Sequence, residues 1–365
     1  MENHISMGRK VFWIINDDTL LMEKQSSRYL KHKLNQHRSP NTVRSIAMAL
    51  SYYLAYLDEN GLTVEEIFAM QYSAQFEHFA EFLRWVKMGL HSEKRHIPNN
   101  NTCNSYLRTV FGFLMFTAYD NDMDAQLKVL SRKEASYVNS IGLRIRRTVM
   151  HFDGYLPDEG HKSRSVDKDN LTKLIKACSC LRDRLLLLML AETGERIGEL
   201  LGINYVKDID YDNMSVTVEV REGNENGARA KYAEYRTVYF SKRTLEILEA
   251  YISENSVLLA NTEYLFINLH GKSKGKPMTA DGVYSMLKTL EKRTGVKSTP
   301  HMLRHYFANE RRKAGWETPE ISVALGHKSI RTTEAYLGVS EEEIELASEK
   351  FYEQNKGLFD IRKLL

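Results

Sequence analysis

Apolar positions in this chain follow two different rhythms. From about residue 26 to 118 they recur at helical spacing, as at Val43, Ile46, Ala47, Leu50, Tyr53 and Leu54. Ser39 followed by Pro40 predicts the start of that helix, and Asn60-Gly61 its end. Further helices are predicted over about 74–87 and 102–119, with a polar loop at 91–101 between them. About four helices would make one small all-α domain. Before it, residues 11–16 and 20–22 are apolar on either side of Asp17, Asp18 and Thr19, which predicts a short hairpin or extended arm. Residues 120–164 are charged and follow neither period. Gly154, Pro157 and Gly160 mark 151–164 as an expected linker.

From Ser165 the pattern sharpens. Asp167 can cap a helix whose inner face is Leu171, Leu174, Ile175 and Cys178. The next segment, 181–191, is apolar nearly all round and should be buried. Thr193-Gly194 breaks it, and a short helix should run on through Leu201. Val216, Val218 and Val220 alternate with Thr217, Glu219 and Arg221, the period of a half-buried strand. The turn residues 223–227 lead to a returning strand at 235–240, and 264–267 reads as a third short strand. Thr299-Pro300 and Thr318-Pro319 each open a helix, which Gly315 and Gly326 close. A last pair of helices is expected over 329–338 and 341–354. The fold class is thus mainly α with a small antiparallel β-sheet. The expected divisions are an arm (1–23), a helical domain (24–150), the linker (151–164), a mixed domain (165–340) and a C-terminal helix and tail (341–365).

No run of apolar residues approaches the length of a membrane span, and the first residues lack an apolar signal core. Three cysteines, two of them spaced CxC within a helical pattern, fit reduced thiols rather than a zinc site. The expectation is a cytoplasmic protein with no membrane partner. A net charge of +3 says little about partners, but its distribution says more. Between 128 and 147 stand Lys128, Arg132, Lys133, Arg144, Arg146 and Arg147 against the one acid Glu134. A second basic zone runs from Lys272 to Lys313, while 341–349 is acidic. Basic patches on a near-neutral chain suit a protein that follows phosphates on one face, or ordinary solvated helices.

The candidate chemistry is scattered. His301, Arg304 and His305 stand at i, i+3 and i+4 of one predicted helix, so two imidazoles and a guanidinium share a face near a helix N-terminus, a natural anion site. HxxxH can also hold zinc, but Met302 stands where a zinc protease needs Glu, and no third ligand is evident. Arg196 and Glu199, three apart, would ordinarily be a surface ion pair. Their position just after a buried helix and a Thr-Gly break instead aims them at a cleft. Gly326-His327 and, nine residues on, Tyr336 are unremarkable singly.

Taken in order, Arg196, Lys231, His301-x-x-Arg304-His305, Gly326-His327 and Tyr336 resemble the signature of the tyrosine recombinase (phage integrase) family. Residues 39–57 resemble its N-terminal core-binding domain, and 226–238 resemble the transposase branch of site-specific transposons. The resemblance implies an all-α, SAM-like core-binding domain and an α+β catalytic domain that close on DNA as a clamp. It implies Tyr336 as nucleophile, and Arg196, Lys231, His301, Arg304 and His327 as the remaining catalytic set. Glu199 and His305 would support them. Lys231 is preferred to Arg229 because it stands five residues before Arg236. The result would be a 3′-phosphotyrosine, with no metal, ATP or other cofactor. Arg144, Arg146, Arg147 and Arg229 are the DNA-binding candidates. Double-stranded DNA, a tetramer on two DNA sites, association with the nucleoid, and a companion recombinase or accessory protein are the implied partners and setting. The alternatives are a catalytically inactive DNA-binding protein of the same fold and a type IB topoisomerase.

Overall fold

The computed structural model describes residues 2–6, 9–16, 19–121, 127–138, 144–159, 165–221, 223–229, 235–327 and 333. The chain divides into two compact units, Met1–Ser136 with Arg146–His161, and Tyr137–Ile145 with Lys162–Leu365.

The first unit opens with β1 (Glu2–Ser6) paired antiparallel to β2 (Arg9–Trp13). The turn expected around residue 19 also forms, closed by Leu20 N–H donating to the Asn16 carbonyl and by an isolated bridge between Ile15 and Met22. Phe12 and Ile14 therefore enter the core rather than an exposed arm. Helices α1 (Lys24–Asn35), α2 (Pro40–Glu59), α3 (Val64–Ala69), α4 (Tyr72–Lys87) and α5 (Asn100–Asp120) follow. Their starts are written in the side chains. Ser39 and Asn99 cap α2 and α5, and Thr63 with Glu66 forms a reciprocal capping box on α3. The shared core is rich in aromatics, among them Tyr53, Phe79, Phe82 and Phe111. It admits buried polar groups, among them the Tyr53 hydroxyl, which lies 2.9 Å from His78 Nε2. Burial pushes His78 down to about 4, so the ring is neutral and can accept.

Residues 151–159 are not a linker. Phe152 is fully buried in this same core, and Asn104 holds Leu156 through both its amide groups. The segment before it forms a two-stranded ribbon, β3 (Ser131–Val138) with β4 (Arg144–His151), which the sequence reading left unassigned. Its charged residues mask the period-two signal, because both faces of β4 are largely exposed.

In the second unit α6 (Lys168–Ala177) is capped by Asp167, and α7 (Leu181–Thr193) is buried along most of its length. Gly194 ends α7 in the left-handed region at φ 65°, and α8 (Ile197–Leu200) starts three residues later. The sheet runs β5 (Ile209–Asp210), β6 (Ser215–Val218), β7 (Arg236–Tyr239), antiparallel throughout. Its third strand is thus 209–210, not 264–267. The latter segment makes only isolated bridges, Tyr264 to Asn204 and Ile267 to Pro277, while its side chains fill the core. Helices α9 (Lys242–Glu254), α10 (Ser256–Leu259), α11 (Ala280–Thr294), α12 (Pro300–Lys313) and α13 (Thr318–Leu325) complete the described part. Thr299 caps α12 as expected. The cap of α13 is Glu317, one residue earlier than the Thr-Pro pattern suggests, because Glu317 and Glu320 form their own capping box. The expected last two helices lie outside the described residues.

Candidate active site

The site is assembled at the end of α13. A helix leaves its last carbonyls without intrahelical partners and carries partial negative charge there. Here three guanidiniums supply the donors. Arg236, at the start of β7, donates Nε–H to the Ala324 carbonyl at 2.8 Å. Arg304, in the middle of α12, donates Nη2–H to Leu325 O at 2.6 Å and Nη1–H to Gly194 O at 2.6 Å. Arg196, at the start of α8, reaches Leu325 O at 3.5 Å and Gly326 O at 3.2 Å. Gly326 takes φ 62°, and a β-carbon there would lie 2.7 Å from Arg236 Nη1. Both facts require glycine.

Glu199 binds two of these arginines. It accepts from Arg196 Nη1 at 2.8 Å, from the Arg196 backbone N–H at 2.9 Å and from Arg236 Nη2 at 2.7 Å. Its side chain is 1% exposed against 21% for Arg196, so this is no surface ion pair. Burial alone would raise the carboxyl, but the hydrogen bond and charge of Arg236, with Arg196, outweigh it and hold Glu199 below its ordinary range. It is an anion that orients two guanidiniums.

His327 follows Gly326 directly and is buried. Its Nε2 lies 2.8 Å from Arg304 Nη2 and its Nδ1 2.9 Å from the hydroxyl of Thr333. Guanidinium nitrogen can only donate, so Nε2 accepts and Nδ1 carries the proton. Burial first, then the charges of Arg304, Arg196 and Arg236, push the ring down to about 3. It is a neutral imidazole. As placed, its Nε2 serves Arg304, which differs from the phosphate-donor role expected from the sequence. Arg304 itself is 1% exposed, enclosed by protein in this arrangement.

On α12, one turn before Arg304, His301 is exposed and faces the buried His305 edge-on, with ring centroids 4.6 Å apart. The helical spacing has thus placed imidazole, guanidinium and imidazole on adjoining positions, as anticipated. Arg229 is exposed, with its backbone carbonyl close over Gly198 of α8. Arg144, Arg146 and Arg147 are exposed on β4. Lys231 and Tyr336 lie outside the described residues. Among the described residues there is no group of three or more His, Cys, Asp or Glu that could hold a metal ion, and no helix long and apolar enough to cross a membrane.

Residues 164–343, which contain this whole constellation, match the family model described as the phage integrase family. Transposase A from transposon Tn554 of Staphylococcus aureus is 25% identical over 340 residues, spanning 90% of this chain and 91% of that one. This chain carries in its second half a phage integrase domain, of the tyrosine recombinase kind. Tyrosine recombinase XerA of Saccharolobus solfataricus is 31% identical to it over 173 residues, 47% of this chain and 51% of that protein. Its fold is similar to that of the XerH site-specific recombinase bound to palindromic difH substrate, with a TM-score of 0.61 and 19% identity over 92% and 89% of the two chains. It is likewise similar to the Tn1549 transposon integrase in complex with transposon right end DNA, at a TM-score of 0.58 and 17% identity over 90% and 98%.

Three residues of this recombinase escaped the sequence reading as parts of the site. Arg236 entered only as a strand opener used to place Lys231. Glu195 and Thr333 carry no signal of this kind in the sequence. A buried Glu199 paired to Arg196 alone would leave half its acceptor capacity unmet, and that shortfall was the available clue to Arg236. Nothing local distinguishes Thr333.

Proposed function

We propose that this tyrosine recombinase cleaves and rejoins DNA at specific sites, with Tyr336 as the nucleophile and the Arg196–Arg304 pair holding the scissile phosphate. The observation that carries the reading is convergence. Guanidiniums from α8 and α12, more than a hundred residues apart in sequence, donate toward a single carbonyl oxygen, Leu325 O. A phosphodiester presents anionic oxygens in need of such donors, and two guanidiniums can neutralise the charge that grows in its transition state.

In this reading the Tyr336 oxygen attacks phosphorus, the bond to the 5′-oxygen breaks, and a 3′-phosphotyrosine with a free 5′-hydroxyl results. Tyrosine's ordinary pKa near 10 calls for a neighbouring base or positive field, and in this reading His301, exposed on the same helix face as Arg304, takes or shares that proton. Lys231 is the acid for the departing 5′-oxygen. Glu199 orients Arg196, His305 packs behind His301, and His327 holds Arg304 through its neutral Nε2. Enclosure of Arg304 implies that its surroundings open when the phosphate arrives. The covalent bond conserves the phosphodiester's energy, so attack by a partner strand's 5′-hydroxyl completes the exchange. Exchange between two duplexes calls for four protomers. Transposase A and the transposon integrase among the similar proteins favour mobilisation of a genetic element as the setting.

The test is covalent trapping. The protein is mixed with labelled duplex from the borders of its own element, nicked near the suspected crossover, in EDTA, and run on a denaturing gel. A protein–DNA adduct that disappears in Tyr336→Phe is expected. Binding by both proteins with no adduct from either would favour the inactive DNA-binding alternative. Transfer of the trapped strand to a second duplex separates recombination from topoisomerase action.

A further inference from the structure

Glu195 stands immediately before Arg196 and has no part in the mechanism above. Its carboxyl is almost wholly buried, at 1% exposure. One oxygen lies 3.1 Å from the Thr193 hydroxyl, and the other has no hydrogen-bond partner among the described residues. The single Thr193 hydroxyl proton lies nearer Met189 O, at 2.7 Å, and the hydroxyl oxygen accepts from the Glu195 backbone N–H, so that proton cannot fully serve the carboxylate as well. The residue on its other side, Gly194, gives its carbonyl to Arg304. The charged groups that act on the carboxyl are Glu199 on α8, Arg236 on β7 and Asp208 before β5. A burial this complete, with one oxygen unmet, disfavours the anion.

We propose that Glu195 is a positioning residue whose proton sets the charge of the arginine cluster, so that a bound phosphodiester and a protonated Glu195 favour each other. With Glu195 neutral, Arg196, Arg236 and Arg304 face one anion, Glu199, and the cluster keeps two positive charges for substrate. With Glu195 ionised, it keeps one. An arriving phosphate adds negative charge to the same enclosure and draws the proton on. By linkage, the coupling is reciprocal. Burial first, and then Glu199, pushes Glu195 up to about 7, which puts this transition near neutral pH.

The proposal rests on the phosphate-binding reading of the site, and its test keeps the two apart. DNA binding is measured by titration calorimetry in buffers of different ionisation enthalpy, about one pH unit above neutrality, in a Tyr336→Phe background that stops at binding. Glu195 present should take up close to one proton more per bound site than Glu195→Gln. In proteins with Tyr336 intact, adduct formation on the nicked duplex should slow by about tenfold relative to Glu195→Gln as pH rises from about 6 to about 8.5. Glu195→Leu, which is neutral without being polar, should follow Gln. Equal proton uptake with and without Glu195 would overturn the proposal. Absence of the Tyr336-dependent adduct would count against the recombinase reading alone, because proton uptake on binding needs no cleavage.

Discussion

Glu195→Gln should make this protein more stable above neutral pH, by an amount the structure sets. The carboxyl's pKa is raised from 4.5 to about 7, first by burial and then by Glu199, against the opposing pull of Arg236 and the Thr193 hydroxyl. In the unfolded chain it titrates at the lower value. Between the two values the folded state holds a proton that the unfolded state has released, so stability falls as pH rises through this window and levels off above about 7. At about 1.4 kcal/mol per pH unit, the window is worth about 3 kcal/mol. Glutamine keeps the shape and has no proton to lose. The difference in unfolding free energy between variant and parent should therefore grow by about 3 kcal/mol from about pH 4.5 to about pH 8. In thermal terms that is roughly 6–12 °C for a unit of this size. Urea unfolding at a series of pH values, with midpoints and slopes compared, measures it. Parallel curves for the two proteins would mean that the folded carboxyl ionises normally, and the burial argument would fail.

Glu199→Gln should act in the opposite sense. Its carboxyl is held low in the folded state, so its stabilisation is present above the ordinary carboxylate range and lost as pH falls through the depressed folded value. Removing the charge leaves the buried Arg236 uncompensated, an expected loss of about 3–5 kcal/mol at neutral pH, read by urea unfolding, with the gap narrowing in acid. Gly326→Ala places a β-carbon against Arg236 in a left-handed backbone, so a cost of at least about 1–3 kcal/mol and a slower adduct are expected. A thermal midpoint within a degree of the parent would refute it. Replacing Arg144, Arg146 and Arg147 together by Ala should weaken binding to every duplex and lower the slope of log affinity against log salt by up to about 3, which fluorescence anisotropy across salt concentrations would show. An unchanged slope would mean that β4 faces away from DNA.

Much of this fold was legible because its signals are local. Ser39, Asp167 and Thr299 each sit beside the backbone N–H groups they cap, and the alternation of Val216 and Val218 needs no distant partner. The helical spacing of His301, Arg304 and His305 put them on neighbouring positions before any packing was known. The Thr63-to-Glu66 capping box was equally local, though its six-residue helix is short enough to pass unread. What stayed hidden depended on distant chain. The β3–β4 ribbon has too few buried residues to show a period. Phe152 looks like linker until the aromatic core of α4 and α5 closes around it. Residues 264–267 are apolar enough for a strand, but their backbone meets only single bridges.

The same division runs through the site. The chain carries the chemical groups and the order in which they occur, and order with short spacing singles out Arg196, His301, Arg304 and His327 as candidates. What each group touches depends on packing between distant parts of the chain. Arg236 becomes a partner of Glu199 across 37 residues, and Arg196 meets Leu325 across 129. His327 is neutral because its ring is buried and three guanidiniums surround it, and Glu195 is raised because it is buried beside Glu199. A residue's identity is carried by the chain, but its charge and hydrogen bonds are set by neighbours that folding alone brings within a few ångströms, in a medium that screens them far less than water does.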